Sequence, residues 1–142
     1  MIGYVDVQTS PVYFYAQKTS NFGTLNAAIP FDLLRLNVGN AMNTSGIFVA
    51  PKPGKYFFSY SGLSLNTALG GVELQVRTAT VDWSRIGNAF GSVNFQTFSL
   101  QANLDLAKGD QIRLLLVEGT IHDTDLHFTN YVGHLLEEEI IQ

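Results

Sequence analysis

The chain has 142 residues, 46% hydrophobic and only 14% charged, with a net charge of −4 and no cysteine. This length fits one domain with a core of its own, and the lack of cysteine excludes disulfides and thiolate chemistry. The acidic balance leaves no basic stripe for nucleic acid, and no apolar run reaches the 18 or so residues of a membrane-spanning helix, so no membrane insertion is expected.

Residues 1–10, MIGYVDVQTS, carry neither the basic start nor the apolar stretch of a leader peptide and are read as a lead-in. From there the sequence runs as short β-rich stretches between Gly, Pro, Asn and Asp clusters, without a sustained 3.6-residue period. Strands are predicted near 12–16, 25–29, 33–37, 46–49, 55–65, 71–77, 93–106, 110–118 and 125–136. The Gly-rich segment Gly87–Gly91 is read as a loop, and the acidic run Glu137–Glu139 as the start of a solvated tail, 137–142. Many short strands at this spacing predict an antiparallel sandwich or barrel.

Side-chain alternation refines the picture. In the run after Pro51-Lys52-Pro53-Gly54, Tyr56, Phe58, Tyr60 and Gly62 share one face, and Phe57, Leu63 and Leu65 lie on the other. Ile112, Leu114 and Leu116 are likewise opposed by Leu115 and Val117, and Leu126, Phe128 and Val132 by Tyr131 and Leu135. A strand wetted on one side alternates more cleanly than this. The second apolar faces therefore imply a subunit interface, with Phe57, Leu63, Leu115, Val117 and Tyr131 as its candidates. Each such side chain gains about 1.5–3 kcal/mol on burial.

Chemistry-bearing clusters are few. His122-Asp123-Thr124-Asp125-Leu126-His127 has the oxygen and imidazole groups of a cation site, but the same pattern suits a polar turn in which Asx side chains satisfy the local backbone. The turn is preferred, no metal is assigned, and Asp123 and Asp125 are kept as ligand-binding candidates. Trp83 and Arg85, in Val81-Asp82-Trp83-Ser84-Arg85, are the other two, because Trp and Arg concentrate at binding hot spots. Asn43-Thr44-Ser45 is an acceptor pattern for N-glycosylation in a secretory pathway. No nucleophile elbow, phosphate-cradling loop or zinc-protease His pair occurs.

Four separated segments together carry a family likeness. Phe31 is followed by Asn37, Phe48 by Gly54, and then Tyr56, Phe58 and Tyr60 alternate. Val12–Ala16 has the form of a first strand, Leu106–Ile112 contains a Leu-x-x-Gly-Asp turn at Gly109-Asp110, and Phe128–Leu135, with Gly133, has the form of a closing strand. Over residues 11–136 the chain resembles the globular head domain of complement C1q, within the C1q/tumour necrosis factor-like superfamily. It departs at Met42, where an aromatic or Leu is usual, and in a Met42–Phe48 segment one residue short. No Gly-X-Y collagen repeat lies in this chain.

The resemblance implies a ten-stranded antiparallel jelly-roll β-sandwich that assembles as a compact homotrimer. It implies a secreted, extracellular recognition module with no catalytic residues and no obligate cofactor. Some members bind calcium near the trimer apex, but their acidic positions have no clear match here. Its aromatics would be scaffold, and its loops would bind protein, glycan or microbial surface ligands. The alternatives are a tumour necrosis factor-like signalling ligand that docks a receptor in the subunit grooves, and a trimerising end-piece of a larger protein.

Overall fold

Alternation of apolar residues with small or polar ones fixes which side of each strand faces inward, and the computed structural model, which describes residues 11–139, builds two packed antiparallel sheets on that rule. The strands are β1 (Tyr13–Gln17), β2 (Ala27–Ala28), β3 (Leu33–Val38), β4 (Phe48–Val49), β5 (Gly54–Ser64), β6 (Gly70–Arg77), β7 (Ser84–Gly91), β8 (Thr97–Leu106), β9 (Gln111–Gly119), β10 (Ile121–His122) and β11 (Asn130–Glu138). No helix is present among the described residues. The first sheet runs β8-β5-β11-β1-β3, with β10 continuing alongside β5 beyond β11. The second runs β7-β6-β9, with β2 and β4 on the free side of β9. This is the all-β jelly-roll sandwich, with eleven strands among the described residues, three of them only two residues long.

The core lies between the sheets and is aromatic at its centre. Phe48 of the second sheet packs edge-on to Tyr56 and Phe58 of the first, with ring centroids at 5.5 and 5.1 Å. Tyr131 fills the space between Phe14 and Phe31, at 4.9 and 5.1 Å. Val72, Leu74, Ile112, Leu114 and Leu116 complete the layer from the second sheet, all essentially without solvent exposure.

Three expectations are corrected here. Gly87–Gly91 is no loop but part of β7, paired with β6 from Gly70↔Gly91 to Val76↔Ser84. Its inward positions are Gly87, Ala89 and Gly91 because Leu100 and Phe98 of β8 reach over from the first sheet and leave room for nothing larger. The acidic tail does not begin at 137: Glu137 and Glu138 extend β11 against Lys55 and Gly54, and Glu138 lies 3.8 Å from the Lys52 ammonium. Finally, 123–128 is a turn rather than the start of the closing strand, with His127 in the left-handed region at φ 58°. The lead-in 1–10 and residues 140–142 lie outside the described residues.

Candidate functional site

The outer faces of the two sheets differ in chemistry. On the first sheet, β1, β3 and β11 carry the side chains that cannot fit the filled core. Leu36, Tyr15, Val132 and Ser59 form one cross-strand row, and Tyr13, His134 and Phe57 the next. Tyr13 and Leu36 are 36% and 49% exposed. His134 meets the Phe57 ring edge-on at 5.5 Å. An open groove of about 650 Å³ runs over this surface, lined among others by Tyr13, Tyr15, Leu36, Val132 and His134. Toward β8 the same face turns polar, at Ser59, Gln101 and Asn103.

The five interface candidates do not share one surface. Phe57 and Leu63 lie on this outer face of the first sheet. Tyr131 points the other way and is fully buried in the core, so it is not an interface residue; its strand begins five residues later than predicted. Leu115 and Val117 face outward from the second sheet, where Leu115 is only 8% exposed. That sheet's outer face is polar, because Glu73, Gln75, Arg85 and Arg113 occupy it.

Those polar groups form a connected ladder. The Arg85 Nε and the Gln75 Nε2 both donate to the Glu73 carboxylate, which is 5% exposed. Gln75 in turn accepts from the Arg113 Nε at 2.8 Å. The Arg113 guanidinium carbon lies 4.1 Å from the centre of the Trp83 ring, a cation–π contact. Burial lowers the Arg113 pKa, while Asp82 and Glu73 act to raise it. Trp83 and Arg85 are thus brought into one cluster, joined by Arg113 and Arg77. Alternation in β6 and β9 places these two arginines on the outer face, whereas the position of Trp83 over Arg113 depends on β7 pairing with β6, which residue spacing does not encode.

Asp123 and Asp125 belong elsewhere, beside β10 and the start of β11, and do not act as a pair. The Asp123 carboxylate is 3% exposed and accepts from the backbone N–H groups of Thr124, Phe128 and Thr129 at 2.8–2.9 Å. It ties the turn together, and Asp125 is exposed. Among the described residues no three His, Asp or Glu side chains converge as a metal set. Lys18, also buried, donates to the Pro30 carbonyl at 2.9 Å and sits 5.4 Å from the Phe22 ring. Burial lowers its pKa, against the raising effect of Asp32 and Asp123.

The signature positions sit in the scaffold. Phe31, Phe48, Tyr56, Phe58 and Tyr60 are buried. Asn37 donates to the Met42 carbonyl at 2.8 Å, closing the short segment before Phe48. Gly109 takes a left-handed φ of 91° in the turn that the buried Asp110 caps by accepting from the Ala107 N–H at 2.9 Å. Phe128 stacks on His122, with centroids 5.5 Å apart, and Gly133 is buried beneath the Phe14 and Phe58 rings. Asn43 is exposed, its carbonyl oxygen engaged by the Ser45 N–H at 2.9 Å.

Comparison with known proteins agrees with this geometry. The family model of the C1q domain matches residues 13–136. Caprin-2 of Danio rerio is 35% identical over 131 residues, 90% of this chain and 14% of that protein. Human complement C1q tumor necrosis factor-related protein 3 is 30% identical over 135 residues, 89% of this chain and 52% of that protein. The chain therefore spans about half or less of these relatives' length. Among solved structures, the globular domain of zebrafish complement 1qA superposes with a TM-score of 0.73 at 14% identity, covering 90% of this chain and 99% of that one. Murine APRIL superposes with a TM-score of 0.70 at 12% identity, covering 89% and 99%.

Proposed function

The chain belongs to the C1q domain family, and from that premise we propose that it is a secreted, trimeric recognition module that binds protein, glycan or microbial surface ligands without catalysis. The coarser part, a C1q-like module of a family of binding domains, follows from membership. The observation that carries the rest is the apolar outer face of the first sheet. The core beneath it is complete without it, yet Tyr13, Leu36 and Val132 line an open groove there. Covering several such side chains, at about 1.5–3 kcal/mol each, drives association strongly.

Trimers built on this face would turn the second sheets and the loops outward. Three copies of one weak site then act together, and avidity supplies what each site lacks. Light scattering tests the reading. A mass of three chains, steady on dilution, is expected; a single-chain mass at tens of micromolar sinks it. Chelator is expected to leave that mass unchanged, because the Asp123 oxygens are already occupied by backbone donors.

A further inference from the structure

Four of the eight cationic side chains of this acidic protein gather at one end of the second sheet's outer face. Arg85, Gln75 and Arg113 form one cross-strand row, and Arg77 pairs with Gln111 in the next. Lys108 approaches from the turn between β8 and β9. Arg77, Thr78, Lys108 and Gln111 line a polar pocket of about 340 Å³ there. Trp83 lies over Arg113, and its neighbour Asp82 is 3.5 Å from the Arg77 Nε.

The charge is available to a ligand. Each arginine is held through Nε: Arg113 to Gln75, Arg85 to Glu73, Arg77 to Asp82. That arrangement orients the guanidinium groups and leaves their terminal nitrogens as a fork for an oxyanion, the geometry at which Arg excels. The side chains of Arg77 and Arg85 are 52% and 70% exposed. Of the three nearby acids, Glu73 pairs with Arg85 and Asp82 with Arg77, while the buried Asp110 caps its own turn. Arg113 and Lys108 have no carboxylate within ion-pair distance among the described residues, and the cluster of four cations and three acids keeps a net positive charge. A flat aromatic ring beside such forks offers an apolar surface for the C–H face of a pyranose, while the forks take its charged substituents.

We propose that this cluster, Trp83 with Arg77, Arg85, Lys108 and Arg113, is a binding site for acidic sugars, carrying sulfate or carboxylate groups. The inference rests on the recognition-module reading and supplies its ligand class. The site lies on the opposite side of the sandwich from the apolar face, so it stays open in the assembled protein.

Trp83 is the sole tryptophan, so its fluorescence reports on this site and no other. The chain is titrated with a heparin-derived hexasaccharide, with an uncharged hexasaccharide and with sodium sulfate. A saturable emission change with the sulfated sugar, absent with the uncharged one, is expected. Arg77→Gln/Lys108→Gln, both at exposed positions, is expected to raise the apparent Kd at least tenfold. Arg35→Gln/Lys55→Gln removes the same charge elsewhere and is expected to change it less than twofold. Circular dichroism and the thermal midpoint check that each variant is folded.

No emission change overturns the site. Equal weakening by both double variants reduces it to net charge and also overturns it, as does sulfate alone saturating the signal at the same concentration. Light scattering on the same samples separates the two readings. A trimer that does not bind sinks only the sugar site, and a monomer that binds sinks only the assembly.

Discussion

Tyr60 and Tyr131 are paired across β5 and β11, and both hydroxyls end in the core with no protein partner among the described residues. The Tyr56 hydroxyl, by contrast, donates to the Lys52 carbonyl at 2.6 Å. A buried, unpaired hydroxyl costs stability that a phenyl ring would not. Tyr131→Phe is therefore expected to be neutral or to stabilise by up to about 1 kcal/mol, and Tyr56→Phe to destabilise by about 1 kcal/mol, measured by urea denaturation. Burial also raises the pKa of all three, that of Tyr56 to about 12. The folded chain then holds protons that the unfolded chain releases near pH 10. Their contribution is intact below pH 10 and declines as pH climbs toward 12. Phenolate absorbance is expected to show the fully buried Tyr60 and Tyr131 titrating only as the protein unfolds; their ionisation in a still-folded protein would refute the assignment. Asp123 gives the sharpest single-residue test. Asp123→Ala strips three backbone donors of their acceptor at once, and a loss of about 3 kcal/mol is expected. The sequence marked this residue as a polar-turn Asx, and the turn is what it builds.

Among the elements, the strands with clean alternation were legible and those with small inward residues were not. β5 follows its predicted faces residue by residue, down to Gly62, where an added Cβ would stand 2.1 Å from the Tyr60 hydroxyl oxygen. β7 was missed because glycine lowers strand propensity and resembles punctuation. Its glycines answer to a neighbour in the other sheet, which local pattern does not contain. A Cβ at Gly91 would lie 2.5 Å from the Phe98 ring. Gly91→Val is accordingly expected to cost at least about 1–3 kcal/mol through overpacking. Ile86→Ser, on the outward side of the same strand, is expected to stay within about 0.5 kcal/mol. A loop at this segment would tolerate both, so equal urea midpoints for the two variants would contradict the strand. The Trp83–Arg113 contact was hidden for the same reason: it depends on β7 lying beside β6, and no residue spacing encodes that.

At the scale of the whole molecule, the proposed trimer places its interface on the first sheet's outer face and leaves the second sheet's face open. Val132 is the place to ask. It sits on β11, the central strand of that sheet, between Tyr15 on β1 and Ser59 on β5. In the single chain it is half-buried on an open surface, so Val132→Asp costs only about 1 kcal/mol there, through lost strand propensity. Beneath a neighbouring subunit the same carboxylate would be stripped of water: its own row offers only Leu36, Tyr15, Ser59 and Gln101, and the next row only the His134 imidazole, already edge-on to Phe57. An uncompensated buried charge costs several kcal/mol per copy, and a symmetric trimer pays for it three times. Val132→Asp is therefore expected to yield a folded single chain by light scattering. Its thermal midpoint should no longer rise with protein concentration. Capture of the chain on a surface densely coated with ligand should fall far more than affinity for the same ligand free in solution, because only the former depends on avidity. A Val132→Asp protein that keeps three chains would place the interface elsewhere, and loss of free-ligand affinity in parallel with surface capture would show that recognition, too, uses the first sheet.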